Sequence, residues 1–166
     1  LVFQTILRGR RPVVFVEELA YPGFRRAAEI LRADIVPINC DKDGIIPAAL
    51  AAAAERHPEA QVLCTSPEVH SPTCGFTPME RRLALVDVAR KADLQILEDD
   101  CYRMGRAEGE GYRQLAPERG WYVSSLSKSV TPALRIGCAI GPKGMSGALH
   151  RSAEHGFFGL ATPMLD

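Results

Sequence analysis

One lysine of this sequence lies among hydroxyl groups and one arginine. Residues 124–137 have the sequence SSLSKSVTPALRIG, in which Ser125 and Ser127 precede Lys128 and Arg135 follows it. A lysine amine forms a Schiff base with an aldehyde, and hydroxyl and guanidinium groups donate hydrogen bonds to a phosphate. The segment therefore predicts a site for a phosphorylated aldehyde, and pyridoxal 5'-phosphate carries both of these groups.

An alternation of strands and helices must position this lysine. Short apolar runs predict strands, and segments with helical spacing lie between them. The alternation predicts an α/β fold in which helices cover both faces of a mainly parallel sheet, a three-layer αβα arrangement. The predicted strands are residues 12–16, 35–38, 62–65, 94–97, 121–124 and 136–140.

The side chains that could do chemistry follow the carboxyl ends of these strands. Tyr21 follows the first strand, and Ser71 follows the third. Asp99 and Tyr102 follow the fourth strand, and Lys128 follows the fifth. Because ligands of such sheets bind beyond the carboxyl ends of the strands, we expect these side chains to surround one site.

The helix after the third strand has a clear start in the sequence. Thr77 is predicted at the N-cap, Pro78 at the first helical position, and Glu80 completes a capping box. The helix is expected to bury an apolar stripe that consists of Met79, Leu83, Val86 and Ala89.

Three further segments are described by composition. Residues 105–120 are polar and rich in glycine, which predicts a surface excursion. The chain opens on what resembles the last turns of an amphipathic helix, and a final helix is predicted from residue 145 to residue 155. Because no finishing element follows, we expect a piece of a longer protein.

The composition bounds the class of function. Among 166 residues, 20 lysines and arginines balance 20 aspartates and glutamates, so this segment has no basic footprint for nucleic acid. No apolar run approaches the roughly 20 residues that cross a bilayer, and the N-terminus has no secretory pattern, which predicts a cytoplasmic protein without a membrane span. The five cysteines lack zinc-type spacing, so we expect reduced thiols and no metal site.

The lysine segment resembles a known family. Ser-x-Ser-Lys followed by Pro-x-Leu-Arg-x-Gly is similar to the lysine segment of class I/II aminotransferases of fold type I, which use pyridoxal phosphate. Asp99 and Tyr102 resemble the Asp-x-x-Tyr signature of that family. The resemblance implies that Asp99 faces the pyridine nitrogen of the cofactor and keeps it protonated, and that Tyr102 donates to the phenolic oxygen.

The resemblance also assigns the phosphate and ring contacts. It implies that Ser125 and Arg135 bind the phosphate, with Ser127 a weaker candidate, and that Lys128 bonds the aldehyde and moves the proton. Tyr21 resembles the aromatic residue that stacks on the pyridine ring. We expect partial burial for Arg135, because it lies between two apolar residues.

The loop before the capped helix departs from the family pattern. Where the family has Asn-Pro-Thr-Gly, this sequence has His-Ser-Pro-Thr-Cys-Gly, so that Ser71 replaces the asparagine and Cys74 the glycine. The shorter serine is expected to reach the phenolic oxygen of the cofactor only through water.

Structural alternatives remain for most of these residues. Asp99 and Asp100 could merely cap or solvate a strand end, and this interpretation is adopted for Asp100. Tyr102 could be a half-buried aromatic, and Tyr21 a core aromatic. Arg135 could form a surface ion pair instead of binding a phosphate.

The function implied by the resemblance is transfer of an amino group between an amino acid and a 2-keto acid. Residues 1–166 would then be the middle of the large domain, without the N-terminal segment and the C-terminal small domain, and the complete protein would be a homodimer. The alternative is the aminotransferase-like effector domain of a MocR-type regulator of the GntR family. A domain that has lost the cofactor, and related pyridoxal-phosphate chemistries such as decarboxylation, stay open as well.

Overall fold

A six-stranded sheet organises the chain in the computed structural model, which describes residues 1–154. The strand order is β2-β1-β5-β6-β7-β8, and every neighbouring pair is parallel except β7 and β8. A short hairpin, β3-β4, lies outside this sheet. The strands are β1 Val13–Glu17, β2 Asp34–Ile38, β3 Cys40–Asp41, β4 Gly44–Ile45, β5 Ala60–Thr65, β6 Gln95–Asp99, β7 Gly120–Ser125 and β8 Gly137–Ile140.

Helices connect the strands, and proline begins two of them. Pro22 and Pro47 occupy the first turns of α2 and α3, where the missing N–H of proline costs nothing. A 3₁₀ turn, Pro132–Leu134, precedes β8. The α-helices are α1 Val2–Ile6, α2 Pro22–Ile30, α3 Pro47–Arg56, α4 Met79–Lys91, α5 Tyr112–Leu115, α6 Leu126–Ser129 and α7 Ser146–Glu154.

Both faces of the sheet are buried. Side chains of a strand alternate between its two faces, so Val13 and Phe15 join one apolar cluster while Val14 and Val16 join the other. Helices α3, α4 and α5 cover the first cluster, and α1, α2 and α7 cover the second. The expected three-layer αβα fold with a mainly parallel sheet is therefore confirmed.

The start and the buried face of α4 differ from the sequence prediction. The helix begins after Pro78 without a side-chain cap, so the capping box of Thr77 and Glu80 is wrong. Leu83 is 49% exposed, whereas Arg82 is fully buried. The guanidinium of Arg82 is stabilised there because it donates to the Thr77 and Pro67 carbonyls and to Glu68.

Residues 105–120 are also more than a surface excursion. Tyr112 and Ala116 are fully buried in the core. The backbone N–H of Tyr112 donates to the buried Glu98 carboxylate at 2.6 Å, which ties α5 to the end of β6. At Gly111 a Cβ would lie 2.8 Å from a Glu98 oxygen, so this close approach requires glycine.

The remaining expectations concern cysteines, metals and membranes. All five cysteines are free thiols. Within residues 1–154 no group of histidine, cysteine and carboxylate side chains could hold a metal ion, and no helix is long and apolar enough to span a bilayer. The predicted final helix corresponds to α7, and its last residue, His155, lies outside the described residues.

Candidate functional site

A cavity of about 330 Å³ lies at the carboxyl ends of the strands. Seven of the eight side chains that the sequence singled out line it, and Ser71 is not among the residues around it. Its volume falls in the range of small-molecule sites. The lining residues are Tyr21, Asp99, Cys101, Tyr102, Ser125, Ser127, Lys128, Pro132, Arg135, Ile136 and Gly137.

The turn between β7 and α6 presents Lys128 to this cavity. Ser125 ends β7 and caps α6, because its Oγ accepts the backbone N–H of Ser127 at 3.1 Å. The Ser125 hydroxyl also lies 3.2 Å from the carbonyl oxygen of Ile136. These contacts fix the backbone on which Lys128 stands, one turn into the helix, while its side chain stays accessible.

Asp99 is the buried carboxylate of the cavity. It is the last residue of β6 and is 7% exposed. Its Oδ1 accepts the backbone N–H of Cys101 at 3.0 Å, so the side chain does stabilise the turn after the strand. Because the same carboxylate also lines the cavity, the turn holds a negative charge beside Lys128 and Tyr102.

Asp100 lies outside the cavity, as the sequence predicts for a structural residue at the strand end, but it is buried rather than solvated. It is 4% exposed, and its Oδ2 accepts the guanidinium N–H of Arg103 at 2.7 Å and the hydroxyl of Tyr122 at 2.8 Å. The side chain is buried because these two donors replace water. Asp100 stabilises the loop after β6 rather than the cavity.

Arg135 lies at the mouth of the cavity and is exposed, so the expected partial burial is wrong. The 3₁₀ turn Pro132–Leu134 ends at this residue, whose φ of 53° turns the chain back into β8. The turn carries the side chain outward although both sequence neighbours are apolar. Within residues 1–154 the guanidinium has no ion-pair partner, which leaves it available to an anion.

Tyr21 and Ser71 occupy different positions relative to the cavity. Tyr21 is 46% exposed at the start of α2, with its ring edge-on to Phe24, so the interpretation as a core aromatic is wrong. Its ring lines the cavity. Ser71 lies in the loop between β5 and α4 and precedes a cis proline, Pro72.

A buried ion pair and a partly buried pair of histidine and glutamate were missed by sequence reasoning. Arg82 and Glu68 form an ion pair at 2.7 Å with both side chains buried, and Glu17 lies 3.3 Å from His70. Arg82 precedes Leu85, Val86 and Ala89 at helical spacing, so its position on the buried stripe was the available signal. No local pattern marked Glu17, because its partners come from the distant loop after β5.

The donor set of the cavity fits pyridoxal phosphate. The amine can bond the aldehyde, and the buried carboxylate can pair with the pyridine nitrogen. The hydroxyls and the guanidinium can donate to the phosphate.

Comparison with known proteins identifies the family. The family model described as aminotransferase class I and II matches residues 1–165. The chain belongs to the class I and II aminotransferase family. A solved structure, that of an archaeal alanine:glyoxylate aminotransferase, has the same fold. The two structures align with a TM-score of 0.83 and 25% sequence identity. The alignment covers 93% of this chain and 40% of that chain.

Relatives of this aminotransferase-family chain include both regulators and enzymes. It is 33% identical over 141 residues to the HTH-type transcriptional regulator TauR of Rhodobacter capsulatus. This alignment covers 82% of this chain and 28% of the relative. It is 36% identical over 144 residues to the aminotransferase swnA of Metarhizium robertsii. This alignment covers 78% of this chain and 29% of the relative. The chain thus spans less than a third of the length of these relatives.

Proposed function

We propose that this chain is the central part of the large domain of a pyridoxal-phosphate-dependent aminotransferase, which transfers an amino group between an amino acid and a 2-keto acid. The observation that carries the proposal is the single cavity in which Lys128, Asp99 and Tyr102 meet Ser125 and Arg135. The family membership supports it independently.

Each residue of the cavity then has a task. When bound, pyridoxal phosphate supplies an electron sink for a substrate carbon that loses its proton. The Asp99 carboxylate keeps the pyridine nitrogen protonated, because a buried negative charge favours the charged form of a neighbouring base. Tyr102 donates a hydrogen bond to the phenolic oxygen.

The phosphate and the ring faces are held by other side chains. Ser125, Ser127 and the exposed guanidinium of Arg135 donate to the phosphate oxygens. Tyr21 stacks on the ring. Ser71 reaches the phenolic oxygen through a water molecule, since it does not itself line the cavity.

Lys128 carries out the proton transfer. Its amine would hold pyridoxal phosphate through the aldehyde, and once free it would act as the base that moves the proton of the substrate α carbon.

We further propose that the complete protein is a cytoplasmic homodimer that contains the segments its relatives have on either side of this one. Those segments are expected to complete the phosphate site and to hold the substrate carboxylate.

Visible absorbance of the complete protein tests the proposal. We expect wild type loaded with pyridoxal phosphate to show the visible band of a lysine-bonded cofactor, and Lys128→Ala to lack it. Addition of amino acids one at a time should move the band to the pyridoxamine form and release a keto acid. Absence of the band in wild type, or its presence in Lys128→Ala, would contradict the assignment of Lys128 as the residue that bonds the cofactor.

The similarity to TauR favours a second candidate, the effector domain of a MocR-type regulator. In that case an amino acid would displace Lys128 without release of a keto acid. A basic helix-turn-helix segment upstream of Leu1 in the gene would distinguish this candidate from the enzyme.

A further inference from the structure

The imidazole of His70 bridges two loops that are distant in sequence. Its Nε2 lies 2.8 Å from the carbonyl oxygen of Leu19 and 3.3 Å from Oε2 of Glu17. Its Nδ1 lies 2.7 Å from Oγ1 of Thr73. The side chain is only 13% exposed, so these three partners define its surroundings.

Glu17 gives this contact its strength. The carboxylate is 2% exposed at the end of β1 and accepts the hydroxyl of Thr65 at 2.7 Å and the backbone N–H of Ser66 at 3.2 Å. A buried carboxylate is costly unless a cation accompanies its hydrogen bonds. The hydrogen bond to Glu17 raises the pKa of His70 above its ordinary value although burial opposes this, so the pair favours the imidazolium.

The ring orientation is fixed by the chemistry of its partners. A carbonyl oxygen only accepts, so Nε2 of His70 carries a proton toward Leu19. The hydroxyl of Thr73 can accept or donate, so it satisfies Nδ1 in either protonation state. The ring therefore holds one orientation across both states, and its hydrogen bonds join the two loops.

The loop after β1 leads to the Lys128 cavity, and the loop after β5 supports it from outside the cavity lining. Leu19 lies two residues before Tyr21, whose ring lines the cavity. On the other side His70 directly precedes Ser71, in a turn closed by the backbone hydrogen bonds from His70 to Gly75 at 2.9 Å and from Cys74 to His70 at 2.7 Å.

We propose that His70 is a positioning residue for the cofactor, whose bridge to Glu17 and Leu19 sets where Tyr21 stands at the Lys128 cavity. This inference rests on the proposed function, because it assumes that pyridoxal phosphate occupies the cavity. His70 acts through the two loops and does not touch the reacting atoms.

Two amide variants of His70 separate its contact with Leu19 from its contact with Thr73. His70→Gln places an amide nitrogen near the position of Nε2, from which it can donate to Leu19. His70→Asn reaches only the position of Nδ1 and keeps the contact with Thr73. In the complete protein we expect His70→Asn and His70→Ala to bind pyridoxal phosphate about tenfold more weakly than wild type, because a hydrogen bond in a charged network is lost. His70→Gln should recover most of the affinity.

Two controls complete the design. His150→Ala removes a histidine that is 77% exposed and pairs with Glu154 on α7, and it should leave the dissociation constant unchanged. Leu85→Ala empties a core position in the middle of α4 and destabilises the fold, and the buried cluster around Leu85 includes no residue of either loop. It should lower the urea midpoint while retaining the wild-type dissociation constant.

The outcomes separate this inference from the proposed function. A wild type without the visible band overturns the function itself. A wild-type band together with equal affinities of His70→Gln and His70→Asn overturns the positioning role. The role is also overturned if Leu85→Ala, at equal loss of stability, weakens cofactor binding as much as His70→Asn does.

Discussion

The ammonium nitrogen of Lys128 lies 5.2 Å from the centre of the Tyr102 ring. Tyr102 follows β6 and Lys128 follows β7, and these strands are parallel neighbours, so the sheet itself brings the two side chains together. A cation over an aromatic face gains about 0.5 to 1 kcal/mol at an exposed site. The ring therefore favours a position of the amine beside the cavity that both residues line.

The hydroxyl and the ring of Tyr102 are expected to affect the affinity for pyridoxal phosphate separately. Tyr102→Phe should weaken the binding of pyridoxal phosphate about fivefold, because it loses one hydrogen bond of about 1 kcal/mol. Tyr102→Leu should weaken it less than Tyr102→Phe does, because it also removes a contact with the Lys128 ammonium that stabilises the protein without cofactor. Absorbance titrations of both variants measure this order, and equal dissociation constants would contradict it.

Arg135 is expected to bind the phosphate through two parallel hydrogen bonds from its guanidinium. Arg135→Ala should raise the dissociation constant of pyridoxal phosphate about tenfold or more, since a charge-assisted hydrogen bond contributes roughly 1.5 to 3 kcal/mol. Arg135→Lys should restore only part of the affinity, because an ammonium cannot bind two oxygens in the planar geometry of a guanidinium.

Arg11→Ala is the matched control for Arg135. Arg11 is exposed and pairs with Asp34 at 3.0 Å, away from the cavity. Its loss should leave cofactor binding unchanged. Similar losses of affinity in Arg11→Ala and Arg135→Ala would show that the effect is one of net charge rather than of a phosphate contact.

The buried ion pair of Arg82 and Glu68 is expected to be essential for stability. Arg82→Met should lower the free energy of unfolding by about 3 to 5 kcal/mol, because it leaves a buried carboxylate without its cation. Urea unfolding at neutral pH measures the loss. Arg90→Met, which breaks an exposed pair with Glu118, should cost at most about 1 kcal/mol. Equal losses would show that burial of Arg82 has no energetic consequence.

Glu98 is expected to make the protein less stable as the pH rises. Burial raises the pKa of Glu98 from 4.5 to about 7, so the folded state binds its proton more tightly than the unfolded state does. The contribution of this group is fully present below about pH 4.5 and is lost as the pH rises through 7, on the order of 3 kcal/mol.

Glu98→Gln isolates this contribution from the other carboxylates. The amide keeps an oxygen that can accept the N–H of Tyr112, but it does not titrate. We expect the difference in unfolding free energy between Glu98→Gln and wild type to grow in favour of the variant between pH 4.5 and pH 8. A difference that is constant across this range would contradict the raised pKa.

Local patterns in the sequence predicted most elements of the sheet. The apolar runs of β1 and β5 are buried on both faces, and such runs need no knowledge of their neighbours to be found. The helix α4 was predicted as well, but its capping box and the burial of Leu83 were wrong, and so was the description of residues 105–120 as only a surface excursion. Arg82 is buried because Glu68, fourteen residues earlier, accepts its hydrogens. Tyr112 packs its ring in the core, and its backbone N–H donates to the buried Glu98.

The sequence by itself determined the family and most of the polar side chains that line the cavity, because Lys128, its serines and Arg135 lie within one short segment whose spacing carries the pattern. Only the tertiary structure decided that Arg135 is exposed and that Ser71 stays outside the cavity. It also decided that His70 joins the two loops beside it. Burial and hydrogen bonding depend on residues that the fold brings from elsewhere in the chain, and spacing along the sequence does not encode those distances.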